Sequence, residues 1–197
     1  MHSGWLHASQ RMFDRRGDRY HGAARLLVRR LHRGVAAEVA ESGLPAGGNV
    51  LDIGCGPGLF LREIAERRPD LRLTGIDLSP SMIEVARRVL AESVAKTSVR
   101  LDNGDAGAMP YADASFDLIV STISMHHWQE PERVVAEAFR VLGPGGGLWV
   151  YDASFGRFEG FKAGVERAFG RRPERSLRRF GPLGLPLIAK FASERAA

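Results

Sequence analysis

The chain lacks the residues that would place it in several classes of protein. It has one cysteine, Cys55, in 197 residues, which excludes an internal disulfide framework. No apolar run approaches the roughly 18 residues that a membrane-spanning helix needs. The opening residues, MHSGWLHASQRM, have no apolar stretch of the kind that makes a secretory signal. His126 and His127 are adjacent, and no third ligand stands at a useful spacing from them, so no metal is expected. These absences leave an enzyme or binding protein of the cytoplasm, with a chain long enough for one domain and a sizeable core.

Lysine is also scarce. Of 28 basic residues only Lys96, Lys162 and Lys190 are lysine. The net charge of +5 conceals a pattern, because residues 1–33 and 157–197 each carry +6 and residues 34–156 carry −7. Basic flanks could meet nucleic acid, anionic lipid or an acidic substrate. No aromatic residues interleave with the arginines in a nucleic-acid pattern, so a solvated surface is the expected reading.

The middle of the chain holds a regular alternation. An amino-terminal segment to about Ser42 reads as helix, because Leu27, Leu31, Val35 and Val39 fall four apart on one face. Gly43 and Pro45 stop it. Strands are expected at Val50–Ile53, Leu71–Ile76, Ser98–Leu101, Phe116–Ser121 and Leu148–Tyr151. Helices are expected at Leu59–Arg68, Ser81–Ala91 and Pro131–Val141, and a further one at Phe158–Phe169. Apolar strands alternating with helices of this length predict a doubly wound α/β domain with a mostly parallel sheet. Residues 1–45 form its helical lid segment, 46–156 its ligand-binding core, and 157–197 a basic helical or irregular extension, all in one domain. In that extension Leu185–Ala189 is the one candidate strand. A short tail would leave the fifth strand as an open edge for a partner, such as a second copy in a homodimer, to cover.

The stretch Val50–Gly58, VLDIGCGPG, carries the chemistry. Gly54, Gly56 and Gly58 end the first strand, where an open α/β sheet binds ligands. Their spacing is G-x-G-x-G, whereas a dinucleotide fingerprint needs G-x-G-x-x-G and a phosphate loop needs a following lysine. Asp52, just before the glycines, would repel a phosphate and welcome an amino group. Asp77 ends the second strand, where an acid can accept from both hydroxyls of a ribose. A nucleoside without a phosphate cradle fits this set.

VLDIGCGPG resembles motif I of the class I S-adenosylmethionine-dependent methyltransferases, nearest the small-molecule group that includes the ubiquinone and menaquinone biosynthesis methylases. TGIDLSPSMIEVAR (Thr74–Arg87), NGDAGAMPYADASFDLIVS (Asn103–Ser121) and HHWQEPERVVAEAFRVLGPGGGLWVYD (His126–Asp152) resemble its later segments in order. FDRRGDRY (Phe13–Tyr20) weakly resembles its amino-terminal cover. The resemblance implies a Rossmann-like class I fold, S-adenosyl-L-methionine as cofactor and S-adenosyl-L-homocysteine as product. It implies that Gly54, Cys55, Gly56 and Gly58 lie under the methionine part and that Asp52 holds its ammonium. It places Asp77 on the ribose, Leu78 and Met82 beside the adenine, Gly104, Asp105 and Ala106 at the adenine edge, and Ser121 near the methionine.

Methyl transfer from a sulfonium needs in-line positioning more than acid–base help. A base is useful when the nucleophile binds protonated. His126 and His127 follow the fourth strand and are the candidates, against a plain structural turn before Pro131. The expected function is methyl transfer to an O, N or C atom of a small-molecule metabolite. The alternatives are a cofactor-binding partner subunit without transfer and an RNA methyltransferase.

Overall fold

The computed structural model describes residues 18–93, 98–153, 158–180 and 185–196. The helices are α1 (Asp18–Ala40), α2 (Leu59–Arg67), α3 (Pro80–Ser93), α4 (Pro131–Val141) and α5 (Glu159–Phe169). The strands are β1 (Asn49–Ile53), β2 (Arg72–Asp77), β3 (Ser98–Asn103), β4 (Phe116–Thr122), β5 (Leu142–Ala153), β6 (Glu174–Phe180) and β7 (Leu185–Glu194). Among the described residues no helix is long and apolar enough to cross a membrane.

The strands form one sheet in the order β3-β2-β1-β4-β5-β7-β6. Pairings from β3 through β5 are parallel, and β7 runs antiparallel to both β5 and β6. The period-two alternation of β1 and β4 builds a core on each face. Val50, Leu118 and Val120 pack with Leu31, Val35 and Val39 of α1 and with Phe60, Leu61 and Ile64 of α2. Leu51, Ile53 and Ile119 pack on the other face with Val134, Val135 and Ala138 of α4 and with Phe161 and Val165 of α5. Both faces are covered, which is why these strands read as apolar runs.

The doubly wound sheet agrees with the sequence reading, and the carboxyl-terminal part corrects it. The tail is not a short or irregular extension after α5. It carries β6 and the whole of β7, and β7 covers the edge of β5 that the sequence left for a partner. Residues Glu174–Leu177 of β6 are all exposed, so they show no in-and-out alternation. A charged edge strand of this kind resists pairing with other chains. Strand β5 starts at Leu142, ahead of the expected Leu148, because the glycine-rich run joins β4 through an irregular register at Phe116. Residues 13–17 of the amino-terminal cover lie outside the described residues.

Candidate active site

Strand order reverses between β1 and β4, so a crevice opens at their carboxyl ends. Gly54, Gly56 and Gly58 line the turn out of β1 with φ of 73°, 50° and 75°. Only glycine takes such angles without strain. A Cβ on Gly54 would come within 2.5 Å of the Ser124 side chain, and one on Gly58 within 3.1 Å of Ala86 and Leu90. A Cβ on Gly56 would meet nothing within 4 Å. Gly54 and Gly58 are therefore packing requirements, and Gly56 borders open space.

Asp77 is the last residue of β2. Its carboxylate accepts the N–H of Gly56 at 2.8 Å and the N–H of Ser79 at 2.9 Å. Each oxygen keeps acceptor capacity for a further donor. The Asn103 amide donates to the carbonyls of Asp77 at 2.9 Å and Leu78 at 3.0 Å, tying the end of β3 to the end of β2. Sequence reasoning missed Asn103. The signal for it was that β2 and β3 end in register, Asp77 opposite Asn103.

Asp52 is 1% exposed, and neither of its carboxylate oxygens has a hydrogen-bond partner. Burial, reinforced by the nearby Asp77, pushes its acid up to about 8. A buried carboxyl without a donor is costly and asks for a cation or hydrogen-bonding group. Leu78 and Met82 lie beyond Asp77 and are 65% and 41% exposed.

Other residues of the expected set have supporting places. Cys55 is buried, and burial raises its thiol above the ordinary range, which excludes a thiolate nucleophile at neutral pH. Ser121 is fully buried, and its hydroxyl lies 2.6 Å from that of Ser124, which donates to the Ile53 carbonyl at 2.9 Å. Its hydroxyl therefore joins the floor of the crevice. Gly104 follows β3 with its N–H on the Asp77 carbonyl at 3.1 Å. Asp105 is exposed and caps its own turn by accepting the Gly107 N–H at 2.8 Å. Ala106 packs against the core beside it.

Beyond β4 the chain turns sharply. Ile123 takes a φ of 52°, a strained value for a β-branched residue. This turn sends Met125–His127 into a single 3₁₀ turn against the glycine loop, through the Ser124–Gly54 contact. Asp152, fully buried at the end of β5, accepts the backbone N–H of His126 at 3.0 Å. The same carboxylate lies 2.9 Å from His126 Nδ1 and also accepts the Ala153 N–H at 2.7 Å. The bond to Asp152 raises the His126 pKa. The His127 ring lies against that of His126, centroids 4.0 Å apart and planes tilted by 47°. Burial, then the neighbouring His126, lowers its pKa, while Asp152 and then Asp77 act in the opposite direction. The structure thus separates two histidines that the sequence could not rank. Trp128 packs on the core near Phe161, 6.3 Å between rings. Among the described residues no group of three or more His, Cys, Asp or Glu could hold a metal ion.

The fold is a doubly wound α/β sheet whose crevice holds a glycine loop flanked by the carboxyl groups of Asp52 and Asp77. Residues 50–146 match a family model described as a methyltransferase domain. The demethylmenaquinone methyltransferase of Deinococcus radiodurans is 35% identical over 142 residues, covering 72% of this chain and 58% of that one. The 27-O-demethylrifamycin SV methyltransferase of Amycolatopsis mediterranei is 38% identical, covering 55% of this chain and 40% of that one. The ajmaline N-methyltransferase of Rauvolfia serpentina is 36% identical, covering 49% and 33%. The chain spans about half the length of the curated relatives it matches. A solved S-adenosylmethionine-dependent methyltransferase from Aquifex aeolicus superposes with a TM-score of 0.66 at 21% identity, covering 81% of this chain and 88% of that one. The cyclase SpnF does so with a TM-score of 0.70 at 20% identity, covering 84% and 82%. The chain belongs to the class I S-adenosylmethionine-dependent methyltransferases.

Proposed function

We propose that this chain moves the methyl group of S-adenosylmethionine to a hydroxyl, or another nucleophile that binds protonated, on a small-molecule metabolite. The observation that carries the reading is the pairing of His126 with the buried carboxylate of Asp152 beside the glycine loop. Asp152 takes the proton side of Nδ1, which leaves Nε2 of neutral His126 as a base. His127, with its lowered pKa, stays neutral beside it.

The residues present fit the cofactor. When bound, S-adenosylmethionine supplies a methyl group on a positively charged sulfur that is already a good leaving group. The unpartnered Asp52 carboxyl would take its ammonium, and that cation would draw Asp52 into its ionised form. Asp77 would accept from the ribose hydroxyls with the capacity its two backbone donors leave. Leu78 and Met82 would cover the base, and Asp105 and Ala106 would bond its edge. The open space at Gly56 admits a ligand at backbone distance.

Calorimetry with S-adenosylhomocysteine and NAD, followed by transfer of labelled methyl to a panel of phenols, alcohols, amines and RNA, tests the reading. The expected result is binding of S-adenosylhomocysteine and label on hydroxyl compounds. NAD binding with no response to S-adenosylhomocysteine would refute the cofactor. Binding without transfer to any compound would make the chain a cofactor binder that shares its fold with SpnF, a cyclase. Label appearing only in RNA would favour the basic flanks as the substrate surface.

A further inference from the structure

Residues 104–115, between β3 and β4, form neither helix nor strand. Asp105 and Ala106 begin this loop. A loop that reads a purine edge must hold its backbone still, yet past the Asp105 turn it has no ladder of its own. Two side chains of α4 supply the restraint. Glu137 accepts the Met109 N–H at 2.8 Å. Arg140 donates to the Met109 carbonyl at 3.0 Å and to the Tyr111 carbonyl at 2.7 Å. Both backbone groups of the buried Met109 are therefore taken by one ion pair. The pair is itself bidentate, with Arg140 Nε and Nη2 each 2.8 Å from a Glu137 oxygen. A planar guanidinium can do this and still reach two carbonyls, and an ammonium cannot. At the near end of the loop, Arg133 lies 3.3 Å from where a Cβ of Gly107 would stand.

We propose that Glu137 and Arg140 are positioning residues that set the shape of the base pocket from the far side of the loop, and so determine selectivity for adenine over a 6-oxopurine. This rests on the reading that Asp105 accepts from the adenine amino group. A 6-oxopurine would present an oxygen to that carboxylate instead, and the two would repel. Selectivity then depends on Asp105 staying where the clamp holds it. If the clamp loosens, Asp105 can move away from the wrong base and the penalty falls.

The test is the ratio of affinities for S-adenosylhomocysteine and its hypoxanthine analogue, measured on the wild-type chain and on Arg140→Lys and Glu137→Gln. Asp113→Asn removes only the charge of the exposed arm of the Arg140 network and is the control. Glu137→Gln keeps an oxygen for the Met109 N–H and is the variant expected to fold if Arg140→Lys does not. The wild type should favour adenine, the two α4 variants should lose at least tenfold of that preference, and Asp113→Asn should keep it. Folded α4 variants that bind both ligands more weakly by the same factor would reduce the pair to scaffolding and overturn the proposal. A wild type that binds S-adenosylhomocysteine but shows no preference would overturn the selectivity while leaving the cofactor reading intact. A wild type that does not bind S-adenosylhomocysteine at all would refute the cofactor reading itself and the proposal with it.

Discussion

The two sides of the crevice are built by different means. On the β1–β2 side the site is mostly backbone, with three glycines at positive φ and two aspartates at neighbouring strand ends. On the β4–β5 side the site is a side-chain pair, His126 and Asp152, held on a strained turn. The first side suits a ligand that keeps its shape. The second suits chemistry that differs from one relative to another. Ser124 joins the two, standing against Gly54 and donating its hydroxyl to the Ile53 carbonyl.

The largest effect should come from cutting the side-chain half alone. His126→Ala should lower turnover by about 10²–10⁴-fold, the range for a general base, with the affinity for S-adenosylhomocysteine unchanged. A fall in affinity of similar size would mean that the two sides are one unit. Asp152→Asn sharpens the same point through pH. Asp152 raises the His126 pKa, so activity should rise with pH through that raised value as the base becomes neutral. In the variant the limb should move to lower pH and its plateau should drop. A limb that stays in place would assign it to another group.

Gly54→Ala attacks the joint. The new Cβ meets Ser124 at 2.5 Å and stands at a φ of 73°. Overpacking and backbone strain together should cost about 3 kcal/mol of stability, read by chemical denaturation. Gly56→Ala has open space for its Cβ and should cost only the strain of its φ of 50°, about 1 kcal/mol, while losing ligand affinity. If both variants were equally unstable, the division of the loop into packing and ligand glycines would be wrong.

Asp52→Asn tests the backbone half by itself. The folded chain holds the Asp52 acid up to about 8, against 3.8 for the free side chain. The folded state therefore binds the proton more tightly than the unfolded state. Stability falls as pH rises from about 4 toward 8, and the ionised carboxylate is the destabilising form. Removing the charge should stabilise the ligand-free chain at pH 8 by about 2 kcal/mol and weaken binding of S-adenosylhomocysteine. Destabilisation at pH 8 would show that Asp52 already has a partner in solution.

What could be read from the sequence follows the same division. The glycine spacing and Asp52 lie within one short stretch, and Asp77 ends the next strand, a position with a fixed geometric meaning of its own, so the backbone half was legible. His126 was visible, but its partner is 26 residues away. Only the sheet, by placing the ends of β4 and β5 side by side, brings them together. Asp77 was expected at the ribose, and its two backbone bonds to Gly56 and Ser79 could not be foreseen. The tail was illegible for another reason. Strand β6 is an exposed charged edge, and β7 contains Lys190, which looks foreign to a buried strand. Its partner is Glu38 in α1, 2.8 Å away and 152 residues earlier.

That last contact gives the smallest expected effect, on a part of the molecule that belongs to neither side of the crevice. Glu38 of α1 accepts from the fully buried Tyr151 at 3.0 Å as well as from Lys190, whose ammonium sits 4.0 Å from the centre of the Trp149 ring. These bonds dock the first helix on β5 and β7, on the face opposite α4 and α5. Tyr151→Phe removes one hydroxyl and leaves the ring packed, so about 1 kcal/mol of stability should go. Ligand affinity and the pH limb should not change, because the hydroxyl points to α1 while the backbone of Tyr151 continues β5 toward Asp152 unaltered. A loss of turnover in this variant would mean that the seat of α1 is transmitted along β5 to the His126–Asp152 pair. The acceptor side would then be a property of the helix that caps the sheet as much as of the strand ends.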